Sequence, residues 1–131
     1  MSSLIEIVPG EEWTILATPE VFAAIESMAG TQKLKEKAKL LRHLELFGSR
    51  RPGERAFTDE QVKLEGAFKT GCGNETVQVW AFKAFQSRLY GCNDGKGRRL
   101  ILTECDLSKK RNKANRGKLE AAARKFGEWT R

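Results

Sequence analysis

The 131-residue chain has few of the residues on which several classes of enzyme depend. Its only histidine is His43, so paired-histidine RNA cleavage is excluded within one chain. Its three cysteines include no C-x-x-C pair, which argues against a zinc site and against a disulfide framework. We therefore expect Cys72, Cys92 and Cys105 to be buried, reduced thiols in a cytoplasmic protein that binds no metal.

Long apolar segments and nucleotide-binding loops are missing too. No apolar run approaches the roughly 18 residues needed to cross a bilayer, and the N-terminal MSSLIEIVPGEEW lacks the basic region of a secretory signal. The chain contains no G-x-x-x-x-G-K-[ST], no G-x-G-x-x-G after a strand and no H-E-x-x-H. These absences predict a protein with no cofactor and no membrane partner.

Charge, in contrast, is plentiful and unevenly placed. Residues 1–65 hold nine Lys/Arg and eleven Asp/Glu, a net charge of −2, whereas residues 66–131 hold fifteen and six, a net charge of +9. From Lys109 to Lys125 the chain carries eight cations and one acid, Glu120. This asymmetry predicts a polyanionic partner on one face, and charge alone permits RNA, DNA, an anionic membrane or an acidic protein.

The first half of the chain predicts strands followed by two helices. Residues 3–8 and 13–18 are β-prone around Pro9-Gly10, so they form either a hairpin or an N-terminal extension, residues 1–12, before one strand. Thr18-Pro19 predicts the start of a helix over residues 19–29. A second helix should begin after Thr31 and end at Gly48. Its expected apolar stripe consists of Leu34, Ala38, Leu41 and Leu44.

The second half predicts a sheet closed by a helix. Residues 48–60 should be a polar loop, with a short helix or turn near residues 59–65. Three antiparallel strands should follow from Thr76, with a turn at residues 93–95. A basic connector, residues 108–113, leads to a helix over residues 115–129. The apolar stripe of that helix consists of Leu119, Ala122, Ala123, Phe126 and Trp129. The whole chain is predicted to be one α+β domain.

The basic residues near the end of the chain divide into two groups. The cations of the connector precede the apolar stripe, where no amphipathic pattern requires them, and they repel one another unless an anion lies between them. The cations of the helix are equally explained as its solvated face. From both groups we predict RNA-binding residues: Arg111, Lys113, Arg116 and Lys118.

A second candidate group lies on the strands. Lys83 interrupts the apolar run VWAFKAF, and Arg88 and Tyr90 are two residues apart, so they project to one face of the next strand. Such a pair suits a phosphate and a nucleotide base, although an ordinary Arg–Tyr packing pair has the same spacing. Glu104 and Asp106 flank Cys105, but metal-dependent nucleases need more clustered carboxylates.

Three segments resemble the RelE/HigB-type toxins of bacterial toxin–antitoxin modules, in particular their phage-derived branch. VWAFKAF resembles a strand that places Lys83 at a basic position, and SRLYG is similar to the next strand, with Arg88 and Tyr90. LSKKRNKANRGKLEAAARKFGEW resembles an apolar-x-Lys-Lys signature and a closing helix. The resemblance spans residues 13–129. It implies a small RelE-like α+β domain, in which an N-terminal strand and a helical hairpin pack on an antiparallel sheet with a C-terminal helix.

The resemblance implies the toxin of a type II module, a metal-independent mRNA endonuclease that acts at the ribosome and is neutralised by an antitoxin. The catalytic residues would be Lys83, Arg88, Tyr90, Lys109 and Lys110, with the arginine clamping phosphate, a lysine acting as base, and the tyrosine stacking a base or donating a proton. This sequence departs from the family's pattern at two places near its end. Leu107 stands where relatives have an aromatic residue, and the segment FGEWTR lacks the His or Tyr that acts as acid or base in some of them. The alternatives are a non-catalytic RNA- or DNA-binding module and a phage accessory protein that binds an acidic partner.

Overall fold

The computed structural model describes residues 3–49, 57–108 and 115–130. These residues form an α+β fold with three helices and one six-stranded sheet. The strands are β1 (Ile5–Pro9), β2 (Thr14–Ala17), β3 (Val62–Lys69), β4 (Thr76–Ala84), β5 (Ser87–Asp94) and β6 (Arg99–Asp106). The helices are α1 (Pro19–Glu26), α2 (Thr31–Ser49) and α3 (Arg116–Trp129).

The sheet is mixed, with the strand order β1-β2-β6-β5-β4-β3. Every neighbouring pair is antiparallel except β2 and β6, which run parallel with Thr14 opposite Arg99 and Ala17 opposite Leu102. The expected antiparallel meander is therefore confirmed for β4, β5 and β6. Of the two alternatives for the N-terminal segment, the structure shows the hairpin, with β1 at one edge of the sheet.

Helices cover both faces of the sheet. On one face α1 and α2 pack Val21, Leu44 and Phe47 against Ile15 and Leu100. On the other face, α3 packs against a second cluster of apolar residues that includes Val79, Tyr90, Ile101, Leu119 and Phe126. The central strand β5 lies between these layers, and seven of its eight residues are buried. A side chain on β5 therefore reaches solvent only near the ends of the strand.

Side-chain caps define the starts of two helices as the sequence predicts. Thr18 accepts a hydrogen bond from the Val21 backbone N–H at 3.3 Å before α1, and Pro19 occupies the first turn. Asn115 accepts one from the Lys118 N–H at 3.3 Å before α3. The prediction of a C-terminal helix that begins at this point and docks through its apolar stripe is confirmed.

The prediction for α2 is wrong in two respects. Leu34 and Ala38 are exposed, and the buried positions are instead Glu36, Leu40, Leu44, Phe47 and Gly48. The helix also continues through Gly48 to Ser49. Gly48 is required for a close approach rather than for a helix end, because its carbonyl accepts the N–H groups of Glu12 and Trp13 at 2.8 and 2.9 Å. A Cβ on Gly48 would lie only 3.0 Å from the Trp13 carbonyl oxygen.

The short helix or turn expected near residues 59–65 is a turn followed by a strand that the prediction missed. β3 pairs with β4 from Val62 to Lys69, with an irregularity between Leu64 and Gly66. Gly66 has a φ of +138°, a backbone conformation that favours glycine. Because the irregularity breaks the alternation of apolar and polar residues, the period-2 pattern of a strand is hidden in VKLEGAFK.

Candidate nucleic-acid interface

Three strands bring charged side chains together beside the β4–β5 turn. Lys83 of β4 lies opposite Arg88 of β5, and Arg88 lies opposite Asp106 of β6. Directly opposed residues point to one face with Cβ atoms about 4.5–5.5 Å apart. That face is the one covered by α3, because Tyr90, two residues beyond Arg88, packs in the α3 cluster. We call Lys83, Arg88 and Asp106 the charged row.

Arg88 is the most enclosed member of the charged row, with 8% of its surface exposed. Its Nη1 donates to the carbonyl oxygens of Phe85 at 2.5 Å and Ser87 at 3.1 Å. Its Nε is buried and has no hydrogen-bond partner within the described residues. A buried donor without an acceptor is costly. The turn holds the guanidinium in place through Nη1, and its Nε–H is left without an acceptor among the described residues.

Tyr90 lies one position further along the same face, at 1% exposure. The expectation that its ring stacks a base is wrong for this conformation, since no ring face is accessible. Burial, and to a smaller extent the charge of Asp106, raise the pKa of the Tyr90 phenol to about 12, while Arg88 acts in the opposite direction. The phenol therefore stays protonated at neutral pH. Its hydroxyl has no hydrogen-bond partner in the described part of the chain.

Lys83, the member of the charged row on β4, is half-buried. Burial lowers the pKa of its ammonium group; Lys63 and Arg88 act in the same direction, while Glu65 and Asp59 oppose them. The neighbouring cations therefore contribute to the lowered pKa of Lys83, but less than burial does. The Nζ atom donates to the Asp59 carbonyl at 3.0 Å, which holds the amine beside the start of β3.

His43 lies behind Lys83 on α2 and is half-buried. Its ring stands edge-on to Phe57 at a centroid distance of 6.2 Å. Burial lowers the pKa of the imidazole, with a smaller contribution from Lys39, and a hydrogen bond to the Lys83 backbone acts against both. The histidine therefore supports the backbone of Lys83, and it belongs to the packing of α2.

A buried ionic network, which the sequence analysis missed, lies next to Arg88 at Ser87, on the face of the sheet that α2 covers. The Glu36 carboxylate is 2% exposed and accepts hydrogen bonds from Ser87 Oγ at 2.7 Å and Lys33 Nζ at 3.2 Å. Lys33 also donates to Ser87 Oγ at 3.1 Å and to the Leu107 carbonyl. Burial alone would raise the pKa of Glu36, but the hydrogen bonds from Ser87 and Lys33 lower it. The network ties α2 to the start of β5 and the end of β6.

The carboxylate of Glu104 is already neutralised by α3. Lys125 donates to it at 2.9 Å, and Lys118 Nζ lies 3.6 Å away. Burial would raise the pKa of Glu104, and the hydrogen bond from Lys125 and other contacts lower it. Lys118, a predicted RNA-binding residue, therefore has an acidic partner. Of the two acids that flank Cys105, Asp106 alone belongs to the charged row.

Arg116, the other predicted RNA-binding residue on α3, is largely exposed. It pairs with Glu120 at 3.0 Å and lies over the ring of Phe68 at 5.8 Å from the centroid. These residues line a groove of about 400 Å³ between α3 and β3. Two further cations, Lys69 and Arg124, line the same groove, which makes it a second basic surface.

Four of the predicted site residues lie outside the described residues: Lys109, Lys110, Arg111 and Lys113. In the chain, Lys109 is the third residue after Asp106 of the charged row. The structure therefore brings together Lys83, Arg88 and Tyr90 on one face. Glu104, the partner of Lys118, lies opposite Tyr90 on that face, whereas Arg116 pairs with Glu120 of its own helix.

A larger pocket, of about 560 Å³, lies at the opposite ends of the strands. Its lining carries both signs of charge, including the ion pair of Asp94 with Arg99 at 2.5 Å.

Across residues 3–49, 57–108 and 115–130, no three His, Cys, Asp or Glu side chains are grouped as metal ligands would be. Cys92 is buried, but Cys72 and Cys105 are only partly buried, contrary to expectation. None of the described helices is long and apolar enough to cross a membrane.

No protein-family model, curated protein or solved structure matches the chain. The described residues define a three-layer α+β fold with a half-buried charged row at one end of its sheet. The similarity of three short segments to the RelE/HigB toxins stays a prediction.

Proposed function

We propose that the protein is the toxin of a type II toxin–antitoxin module, a metal-independent endonuclease that cleaves mRNA at the ribosome and is neutralised by an antitoxin. The observation that carries the proposal is the charged row, where an enclosed arginine keeps an unpaired N–H beside a lysine of lowered pKa. The order of strand, two helices, antiparallel strands and helix supports a RelE-like fold. Relative to a RelE-like domain, β1 would be an N-terminal extension that adds one strand to the edge of the sheet.

The chemistry requires no metal. A lysine takes the proton of a ribose 2′-hydroxyl, and the 2′-oxygen attacks the adjacent phosphorus. The resulting phosphorane carries extra negative charge, which a preorganised guanidinium stabilises. The bond to the 5′-oxygen then breaks, and this oxygen takes a proton, so the products are a 2′,3′-cyclic phosphate and a 5′-hydroxyl. Lys83, Lys109 and Lys110 are the candidate bases, and Arg88 is the phosphate clamp.

The described contacts support a different role for each of the predicted residues. For Arg88 we propose a phosphate clamp, because the carbonyls of Phe85 and Ser87 anchor its Nη1 while its Nε–H has no acceptor among the described residues. Because the Tyr90 ring is buried, we propose that this residue acts through its protonated hydroxyl and not as a stacking surface. Lys109 and Lys110 come three and four residues after the end of β6 in the chain, and the proposal keeps both as candidate bases.

Cleavage of translated mRNA, in the Mg²⁺ that intact ribosomes require, tests the proposal, and the chemistry of the product ends reports the type of cleavage. We expect wild-type protein to cut ribosome-bound mRNA and leave 5′-hydroxyl ends, and its induced expression to arrest growth. The double variant Lys109→Ala/Lys110→Ala should lose about 10²-fold or more in cleavage rate. The matched control is Lys35→Ala/Lys39→Ala, which removes two exposed α2 lysines and should cleave as wild type does.

Three outcomes separate the candidate functions. Equal growth of all strains together with intact transcripts would refute the nuclease. RNA binding that weakens steeply with salt, without cleavage, would instead identify a non-catalytic nucleic-acid-binding module. Loss of function in the α2 control as well as in the connector variant would show that net charge, and not the connector, matters.

A further inference from the structure

The β4–β5 turn carries an aromatic residue that packing does not explain. Phe85 is 73% exposed, the highest value among the exposed large apolar residues of the described chain. Its neighbours on the strands, Ala84 and Ser87, are both buried and face each other across a two-residue turn. The ring therefore projects into solvent from the tip of a turn whose flanks are enclosed.

The backbone of Phe85 is also in a conformation that disfavours a phenylalanine. Its φ of +55° lies in the left-handed region, where bulky side chains are rare. Two-residue hairpin turns place glycine, asparagine or aspartate at such positions. Strained backbone conformations cluster at active sites and ligand clamps, so an exposed one motivates a functional hypothesis.

This turn is connected directly to the charged row. The Phe85 carbonyl accepts the 2.5 Å hydrogen bond from Arg88 Nη1, and Lys83 lies two residues before it. The contact that orients the guanidinium therefore also holds the backbone from which the ring projects. An exposed aromatic face beside cations is the arrangement with which proteins bind single-stranded nucleic acid, with bases on the ring and phosphates on the cations.

We propose that Phe85 is the base-stacking residue of this site and that its ligand is a single-stranded RNA segment whose phosphate lies at Arg88. The inference rests on the proposed function and deepens it. Phe85 takes the stacking role for which buried Tyr90 has no accessible surface. Because any base has an apolar face, the contact adds affinity with little preference for sequence.

The test compares two probes that differ only in their bases. One is a short 2′-O-methyl RNA, which cannot be cleaved because no 2′-hydroxyl is free, and the other is its abasic counterpart of equal charge. We expect wild-type protein to bind the base-bearing probe about tenfold or more tightly, the value for one stacked base. Phe85→Leu should abolish this preference, and Phe85→Trp should keep it.

Two further variants distinguish stacking from a structural role. Phe85→Gly removes the strained side chain, so its Tm should equal or exceed that of wild type while the preference for bases is lost; a fall in both would mean that the ring serves the fold. Leu34→Ala removes an apolar side chain that is 52% exposed on α2 and should change neither quantity.

Each remaining outcome contradicts the inference in a distinct way. Equal wild-type affinity for both probes would remove the stacking role and leave the phosphate site intact. A preference that survives Phe85→Leu would place the stacked base elsewhere. If wild-type protein bound neither probe, the stacking residue would be refuted, and the cleavage assay on ribosome-bound mRNA would decide the proposed function separately.

Discussion

Replacing Glu36 by alanine should destabilise the protein far more than its place in a lysine-rich helix suggests. The carboxylate accepts hydrogen bonds from Ser87 Oγ and Lys33 Nζ at 2.7 and 3.2 Å. A hydrogen bond to a charged group contributes about 1.5–3 kcal/mol. In the variant, Lys33 still donates to the Leu107 carbonyl and has partial access to solvent, which reduces the free-energy cost of losing its carboxylate partner. We expect Glu36→Ala to cost about 2–3 kcal/mol.

Denaturant unfolding followed by circular dichroism measures this cost directly. The matched control is Glu45→Ala on the same helix, because Glu45 forms an exposed i,i+3 ion pair with Arg42 at 3.4 Å. That pair should contribute less than about 0.5 kcal/mol. For a chain of this size the predicted loss lowers Tm by about 10 °C. Glu36→Gln keeps an acceptor for Ser87 without the charge and should fall between alanine and wild type.

The pH dependence provides an independent check. The pKa of Glu36 is lowered in the folded state, so the unfolded chain binds a proton more readily than the folded chain. The stabilisation is therefore complete above the unfolded value and is lost as the pH falls through the folded pKa. The difference in unfolding free energy between wild type and Glu36→Gln should shrink at acidic pH. If Glu36→Ala and Glu45→Ala unfold at the same denaturant concentration, the buried network does not exist as described.

Three further predictions concern the α3 face of the sheet. Tyr90, the only tyrosine, should titrate near pH 12 by ultraviolet difference spectroscopy, and stability should fall as the pH rises from 10 to 12 because only the unfolded phenol ionises there. Cys92, with its pKa raised to about 12 by burial, should resist thiol reagents until the protein unfolds. Gly127→Ala places a Cβ 2.5 Å from the Thr70 carbonyl oxygen and should cost about 1–3 kcal/mol in denaturant unfolding. Gly117→Ala, at an exposed position of the same helix where the nearest atom is Asn115 Oδ1 at 3.3 Å, should cost much less.

Local signals predicted the helix starts and the central strands. Thr18 and Asn115 cap the helices at the expected positions because capping depends only on neighbouring residues. The face that α2 buries was not predictable in the same way. Leu34 has the apolar side chain, but Glu36 occupies the buried position because Ser87 and Lys33 satisfy its carboxylate. A partner 51 residues away in the chain leaves no periodic signal.

The candidate site was predicted in part for the same reason. The spacing of Arg88 and Tyr90 correctly placed both on one face. Their burial depends on strands and a helix on either side, which the spacing does not contain, and so the accessible aromatic residue was sought at Tyr90. Phe85 carried a detectable signal, since an aromatic residue next to Gln86 in a two-residue turn is unusual.

The parallel pairing of β2 with β6 also constrains how the chain can fold during synthesis. The N-terminal hairpin meets the rest of the sheet only through β6, whose partner residues are about 85 positions later, as for Thr14 and Arg99. Contacts of such high contact order form slowly, because a long loop must close before they stabilise the chain. A nascent chain therefore carries an unpaired β2 edge until the last strand has emerged, which makes this edge the place where a chaperone would act or where aggregation would begin.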